Sequence, residues 1–258
     1  MNCFRALSIA SCGVACLGCS SSDDAKEPEQ PSSATAALDL ASVKTNPDDY
    51  TWFDFRPNVK KLILAGAAET EHIAILWYTV ADGAVGLHYH GKTESVYVIE
   101  GTQTDEKGTY PTGTVYFNPP GSGHEISDSS GFFLLAYSAP PDFMSTDLIE
   151  EYEPVRIDTE DPEMTTAYPF EESATGIETF LAPLVDGGGL SAEFVQISEA
   201  GAEYDFDGNY LLVLEGSCTI DGETYGEDML VVTKDVAPEP FVVAASEEEG
   251  CLALGVSF

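Results

Sequence analysis

Basic residues are scarce in this sequence of 258 residues, which has 10 Lys and Arg against 45 Asp and Glu and a formal net charge of -35 at pH 7. A surface this acidic repels phosphate backbones and anionic lipid headgroups, so nucleic acid and a direct electrostatic contact with a membrane are excluded as partners. We interpret the acidity as a source of solubility rather than as a site for a cationic partner. The 43% of hydrophobic residues is enough to form packed cores and argues against global disorder.

A hydrophobic run long enough to span a membrane is missing from the start of the chain. The first residues, MNCFRALSIASCGVACLGC, hold one Arg and a short, interrupted apolar run, which is typical of a secretory signal peptide over residues 1–19. The end of this run resembles a bacterial lipobox with Cys19 as the lipidated residue, although Cys16 stands where an aliphatic residue is usual. We therefore predict an exported cell-envelope lipoprotein on the periplasmic or outer-surface side, lipid-anchored through Cys19. An ordinary secreted protein, cleaved nearby, is the alternative.

Helical patterns are also weak in this sequence, whereas short strand patterns are frequent. Residues 20–46 begin with SSSDDAKEPEQPSSATAA, which offers little to bury and predicts a disordered polar tether. From about Asp48 onward, segments such as HIAILWYTV, SVYVIEG and GFFLLAYS are rich in β-branched and aromatic residues and are separated by Gly, Pro, Asp and Asn. This pattern predicts an all-β sandwich or barrel.

The strand pattern occurs twice. When the sequence is shifted by 115 residues, SVYVIEGTQT from Ser95 falls on YLLVLEGSCT from Tyr210, and the Glu-Gly pair at 100–101 falls on the pair at 215–216. A register kept over so many residues indicates two copies of one β-fold, packed face to face. We place the first domain at residues 47–141 and the second at residues 142–258.

Cysteine is almost absent outside the leader, which holds or ends in four of the six cysteines. Only Cys218 and Cys251 remain in the folded part. In an exported protein this pair could form a disulfide. Two buried thiols that pack as small apolar residues are the alternative, and the spacing does not decide between them.

Histidine occurs only four times, yet three of the four belong to one pattern. His88 and His90 are two residues apart on a predicted strand, so their rings project from the same face about 6.6 Å apart. Glu94 follows after a short turn, and a Pro-Gly bend precedes His124. Three imidazoles and one carboxylate that converge in this way predict a site for a divalent transition metal such as Fe(II), Zn(II) or Mn(II).

The spacing H-x-H-x3-E-x6-G followed by G-x5-P-x-G-x2-H resembles the two-part motif of the cupin superfamily, and the segment YVIEGTQTDEKGTYPTGTVYFNPPGSGHEISDSSG is similar to the ChrR-like cupins. The resemblance implies a tandem double-stranded β-helix (jelly-roll) bicupin. It also implies that His88, His90, Glu94 and His124 hold the metal. Two positions depart from the family pattern: Asp82 stands six residues before His88, and Asp128 follows His124. Neither position is a metal ligand in the family.

The second copy lacks these imidazoles. Under the shift of 115 residues the four ligand positions fall on Glu203, Asp205, Asn209 and Glu239. We interpret this copy as a degenerate domain kept for packing, with a weak calcium-like oxygen site as the alternative.

Two functions are compatible with one metal site in an exported bicupin. The resemblance implies either a dioxygenase that acts on a small diketone-like or hydroxyaryl-ketone substrate, or a non-catalytic, lipid-tethered module that binds a metal or a small ligand. A purely structural bicupin is a third, weaker hypothesis, and a homodimer is possible.

No general base is identifiable in the motif, because Lys92 and Lys107 are expected to be solvated and His72 to be structural. Five aromatic residues near the motif could line the site or pack in the core: Trp77, Tyr89, Tyr97, Tyr116 and Phe133.

Overall fold

The computed structural model describes residues 35–144, 151–234, 239–246 and 250–258. The predicted signal peptide, Cys19 and the first part of the predicted tether lie outside these residues. In the part of the chain that is described, no helix is both long and apolar enough to cross a membrane.

Strands make up most of the described residues, as the sequence predicts. The N-terminal half contains β1 Thr35–Asp39, α1 Leu40–Thr45, β2 Phe53–Arg56, β3 Val59–Gly66, β4 His72–Tyr89, β5 Glu94–Asp105, β6 Gly108–Pro111, β7 Thr114–Asn118 and β8 Gly123–Tyr137. The C-terminal half contains β9 Val155–Asp158, α2 Met164–Ala167, β10 Glu171–Ala174, β11 Ile177–Leu181, β12 Ser191–Ile197, β13 Glu203–Gly208, β14 Tyr210–Ile220, β15 Glu223–Gly226, β16 Met229–Thr233, β17 Glu239–Ala245 and β18 Cys251–Ser257.

These strands form two antiparallel sheets, each of which curls into a barrel. The first has the order β2-β3-β4-β8-β5-β7-β9, with β6 on β5. The second has the order β1-β16-β14-β18-β12-β11-β10, with β15 and β17 paired to β14 and β13 paired to β17. The predicted tandem jelly-roll bicupin is therefore confirmed.

The two halves exchange their first strands. β1 pairs with β16 of the second sheet, from Thr35 opposite Thr233 to Asp39 opposite Met229. In the same way β9, which lies beyond the predicted domain boundary, pairs with β7 of the first sheet. The boundary between residues 141 and 142 therefore does not separate the two sheets, because each half supplies an edge strand to the other.

This exchange also shows that the tether prediction is wrong for residues 35–46. A short helix, α1, follows β1, and the Asp39 side chain caps it by accepting hydrogen bonds from the amides of Ala41 and Ser42. Leu40 and Val43 are three residues apart on one helix face, and both are fully buried. The pairing of β1, the burial of Leu40 and Val43 and the cap together order a segment whose composition is polar.

Three groups of buried side chains hold the fold together. The largest lies where the two barrels face each other, and it includes Tyr97, Phe117, Phe194 and Tyr210. Another fills the second barrel around Phe206 and Phe241. The third fills the first barrel and includes Tyr78, Tyr116, Phe133 and Tyr137. The first barrel differs from the second because polar and charged groups are buried beside its apolar core.

The Glu-Gly pairs that reveal the repeat have a backbone role. Gly101 has φ 92° and Gly216 has φ 73°, a region that favours glycine. A Cβ atom at Gly101 would lie 2.0 Å from the Ser130 carbonyl oxygen, and one at Gly216 would lie 2.0 Å from that of Gly250. The repeat therefore preserves the glycines that the bent strands require, independently of any chemistry at the metal site.

Cys218 and Cys251 form a disulfide inside the second barrel, where both are almost fully buried. Replacing both by Ser is expected to lower the free energy of unfolding by about 3–4 kcal/mol, because the bond closes a loop of 33 residues in the unfolded chain. Denaturant unfolding of the wild type and of the double variant measures this change. Metal content serves as the control and should not change, since the metal ligands lie in the other barrel. Equal stability of the two forms would contradict the prediction.

Candidate metal centre

Neighbouring strands of the first barrel bring the four predicted ligands together. His88 lies near the end of β4, directly opposite His124 of β8, and His90 follows just beyond β4. Glu94 opens β5, between Asn118 of β7 and Tyr137 of β8. The four side chains are 1–5% exposed, and each offers one ligand atom within 4.8 Å of the others. Residues separated by up to 36 positions thus converge on one point inside the barrel.

The donor atoms of this cluster face one another closely. The Nε2 atom of His90 lies 3.1 Å from Nε2 of His124 and 3.2 Å from Oε2 of Glu94. The Nε2 atom of His124 lies 3.5 Å from the same carboxylate oxygen. The His88 ring packs edge-on against His90, with the ring centroids 4.9 Å apart.

Two hydrogen bonds orient the lone pairs toward the cluster. Nδ1 of His88 lies 3.0 Å from the Gly86 carbonyl oxygen, and Nδ1 of His124 lies 3.0 Å from Oδ2 of Asp105. When Nδ1 donates in each case, Nε2 is left as an acceptor for a cation. Three neutral imidazole nitrogens and one carboxylate oxygen suit a divalent transition metal, so the residues present fit such an ion.

The electrostatics of the cluster also keep two of its three imidazoles neutral. Burial lowers the pKa of His88 to about 3 and that of His90 well below its usual value. Burial acts in the same direction on His124, but the hydrogen bond to Asp105 and the negative charge of Glu94 outweigh it and raise the His124 pKa. His88 and His90 are therefore neutral and able to bind a metal at neutral pH.

A second layer of polar groups holds the ligands in place. Asn118 donates to Oε2 of Glu94 at 2.8 Å, and Tyr137 also forms a side-chain hydrogen bond with Glu94. Asp105 is fixed by the backbone amides of Lys107 and Gly108, and the Tyr110 hydroxyl donates to it at 3.3 Å. The resemblance to a family motif did not identify these residues, because none of them stands at a specified position of the motif.

Asp105→Asn is expected to lower metal affinity about 10–100-fold, because the amide no longer accepts the His124 Nδ1–H as a carboxylate does. Competition with a chromophoric chelator measures the affinity. Glu106→Gln is the matched control, since it removes the same charge one residue away without a hydrogen bond to His124. Equal affinities for the two variants would contradict the role of Asp105.

A narrow cavity of about 10 Å³, room for about one water molecule, lies beside the cluster, and among the four ligands His88 and Glu94 line it. Its other walls are mostly apolar: Phe55, Leu76, Tyr78, Val85, Gln103, Ile126, Leu135, Tyr137, Pro141 and Phe143. None of the five aromatic residues predicted near the motif is among them. Trp77 and Tyr97 pack on the opposite face of the sheet, toward the second barrel, because adjacent strand residues face opposite sides.

Two buried polar residues near the cavity were not predicted as a pair. Lys61 on β3 is 1% exposed, and His72 at the start of β4 is fully buried. Nζ of Lys61 lies 3.1 Å from Nε2 of His72. His72 therefore lies outside the metal cluster but has a charged partner. The alternation of β3, which places Val59 and Lys61 on the inner face, is the signal that could have revealed this lysine.

The second barrel has no equivalent cluster within the described residues. Glu203 and Asp205 are exposed, whereas Phe206 on the same strand is buried and stacks on Phe241. Asn209 is buried, but its Oδ1 atom accepts a hydrogen bond from the Phe258 amide. Because Glu203 and Asp205 are exposed, they do not form the calcium-like site that was the alternative to a degenerate domain. The Glu239 side chain lies outside the described residues.

Comparisons with known proteins agree with the fold of the first barrel. Residues 41–140 match the family model described as the ChrR cupin-like domain. No curated protein matches the sequence. Among solved structures, a protein from Nostoc punctiforme, provisionally described as a dioxygenase, has a TM-score of 0.58 and 11% identity over 86% of this chain and 82% of its own. An oxalate decarboxylase from Lactobacillus farciminis has a TM-score of 0.48 and 11% identity over 85% of both chains. At these identities the likeness concerns the fold alone.

The first barrel is therefore a cupin-like domain with a buried three-histidine, one-glutamate site for a divalent transition metal, and the chain as a whole has the bicupin fold.

Proposed function

We propose that this protein is a metal-dependent dioxygenase that acts on a small diketone-like or hydroxyaryl-ketone substrate. The observation that carries the proposal is the cavity in the first barrel, where apolar walls meet two of the four buried metal ligands, His88 and Glu94. Such walls favour the carbon skeleton of a small substrate whose oxygen atoms face the polar end, and because the free volume is about 10 Å³, the walls move apart to admit it.

The residues of the chain have separable roles in this proposal. Asn118 and Tyr137 fix the Glu94 carboxylate, and Asp105 fixes the His124 ring, so that the donor atoms are preorganised. The aromatic side chains of Tyr78 and Phe143 line the cavity and exclude water from it. A bound divalent metal supplies Lewis-acid polarisation of a substrate oxygen.

Oxygen consumption tests the proposal. The full chain, loaded with Fe(II), is expected to consume oxygen with at least one member of a panel of 1,3-diketones and hydroxyaryl ketones. His124→Ala should abolish this consumption, and Glu106→Gln, which leaves the cluster intact, should retain it. A chain that is fully loaded with metal but consumes no oxygen with any member of the panel would contradict the dioxygenase proposal.

A non-catalytic module that binds a metal or a small ligand is the alternative. The observation that favours it is the near-complete burial of the four ligands, which restricts the cavity to small molecules. The same experiment separates the two, because a binding module would retain metal and bind members of the panel without consuming oxygen.

We also propose that the chain is exported and lipid-anchored through Cys19. The leader sequence supports this proposal, and the disulfide between Cys218 and Cys251 is of a kind that persists in oxidising compartments. Cys19→Ala is expected to move the protein from the membrane fraction to the soluble fraction of the native host. Immunoblots of both fractions measure this, and an unchanged distribution would contradict the anchor.

A further inference from the structure

A buried positive charge lies beside the cavity of the first barrel. Nζ of Lys61 lies 4.3 Å from the ring centroid of Phe55 and 5.3 Å from that of Tyr137. Both rings are walls of the cavity. The chain has only 10 basic residues among 258, so a lysine buried at this position is conspicuous. Buried lysines are rare because their desolvation is costly, and their presence requires a compensating interaction.

His72 holds this lysine in place. Nδ1 of His72 lies 2.8 Å from the Thr70 carbonyl oxygen and donates to it, so that Nε2 accepts a hydrogen bond from the Lys61 ammonium. Burial lowers the pKa of Lys61 to about 8, while the negative charge of Glu94 acts to raise it. The ammonium form therefore still dominates at pH 7. Among the described residues, no carboxylate lies within 4.0 Å of Nζ. A neutral imidazole therefore orients the cation but does not neutralise it.

The charges inside the first barrel leave an imbalance that a ligand can correct. Glu94 and Asp105 are the buried carboxylates of this barrel within the described residues, and Lys61 is its buried ammonium. With a divalent ion in the site, two positive charges offset the two carboxylates, and the charge of Lys61 remains. A net charge in a poorly solvated interior is unfavourable, so a ligand with one negative charge would bring the interior to neutrality.

A role of Lys61 as the counter-ion of Glu94 does not account for its position. Glu94 already accepts hydrogen bonds from Asn118 and Tyr137 and faces the imidazole cluster. A nearby ammonium also disfavours a metal cation, because like charges repel. The position of Lys61 is therefore adverse for metal binding itself and favourable for an anion that enters the cavity after the metal.

We propose that Lys61 makes the metal cavity selective for a small monoanion with oxygen donors, that is, a carboxylate or an enolate. This inference rests on the metal centre of the proposed function and adds the charge of its substrate. Lys61 acts as a specificity-determining residue, and His72 positions it.

Anion binding by the metal-loaded full chain tests the inference. Wild type, Lys61→Met and Lys60→Met are loaded with Zn(II), and calorimetry measures the binding of acetate, of 2,4-pentanedione as an enolate source, and of imidazole as a neutral ligand. Lys61→Met is expected to bind acetate at least about ten-fold more weakly, with imidazole affinity unchanged and zinc content unchanged or higher. Lys60→Met is the matched control, because Lys60 lies on the opposite face of β3 with Nζ 5.4 Å from the Trp77 ring centroid.

The outcomes separate this inference from the proposed function. A wild-type chain that binds no zinc overturns the metal centre itself. Equal acetate affinity in wild type and Lys61→Met, with full zinc content, overturns the role of Lys61 alone. If Lys61→Met does not fold, the double variant Lys61→Met/His72→Phe takes its place in the comparison. The second substitution removes the His72 ring nitrogen that loses its partner when Lys61 is replaced. Independently of any variant, failure of the zinc-loaded wild type to bind either anion at about 100 mM overturns the proposal. Whichever of acetate and pentanedione binds more tightly identifies the class of anion.

Discussion

Replacing His90 or His124 by Ala is expected to reduce bound metal from about one equivalent per chain to almost none, with affinity lowered at least about 100-fold. Each substitution removes one of four donor atoms that lie within 4.8 Å of one another, and the remaining three cannot complete the site. Elemental analysis after metal loading and gel filtration measures the effect.

The fourth histidine of the chain provides the control for this experiment. His72→Phe keeps the ring volume and leaves the four donor atoms in place, so it should retain full metal content. Retention of metal by both His90→Ala and His124→Ala would contradict the assignment of the site. Loss of metal in His72→Phe would show that the variants act through folding rather than through coordination.

Acidification is expected to lower the free energy of unfolding of the metal-free protein by about 5 kcal/mol between pH 6.5 and pH 4. Burial lowers the pKa of His88 to about 3, that of His72 to about 4 and that of His90 well below its usual value, so the unfolded chain takes up protons in this range that the folded chain does not. Stability is therefore complete above the unfolded pKa and is lost as the pH falls. His124, whose pKa is raised, opposes the trend and limits its size.

Denaturant unfolding at a series of pH values measures this slope. His72→Phe should reduce the fall by about a third, because it removes one of the three groups with a strongly lowered pKa. A stability that does not change between pH 6.5 and pH 4 would contradict the burial of neutral imidazoles. In the metal-loaded protein, protons compete with the metal for His124, whose pKa is raised, and unfolding exposes the other ligands, so metal should be released in this range as well.

The family resemblance and the strand pattern were sufficient to predict the fold and the ligand set. Alternation on β4 places His88 and His90 on one face, and the repeat of Glu-Gly pairs indicates a second copy of the fold. These features depend on the spacing of residues along the chain, so they can be recognised from the sequence alone. The ordering of residues 35–46 could not be predicted in this way, because it depends on an edge strand some two hundred residues away in sequence.

The sequence by itself determined that the chain is all-β, that it contains two copies of one fold, and that three histidines and Glu94 converge in the first copy. The tertiary structure alone decided what surrounds that site. Asn118, Tyr137 and His72 lie in one transverse row with Glu94 because strand pairing sets their register. Lys61 joins them because the barrel closes around the inner face of β3. No local pattern specifies which distant residues meet across paired strands, and these residues determine how the ligands are held and which charge the cavity favours.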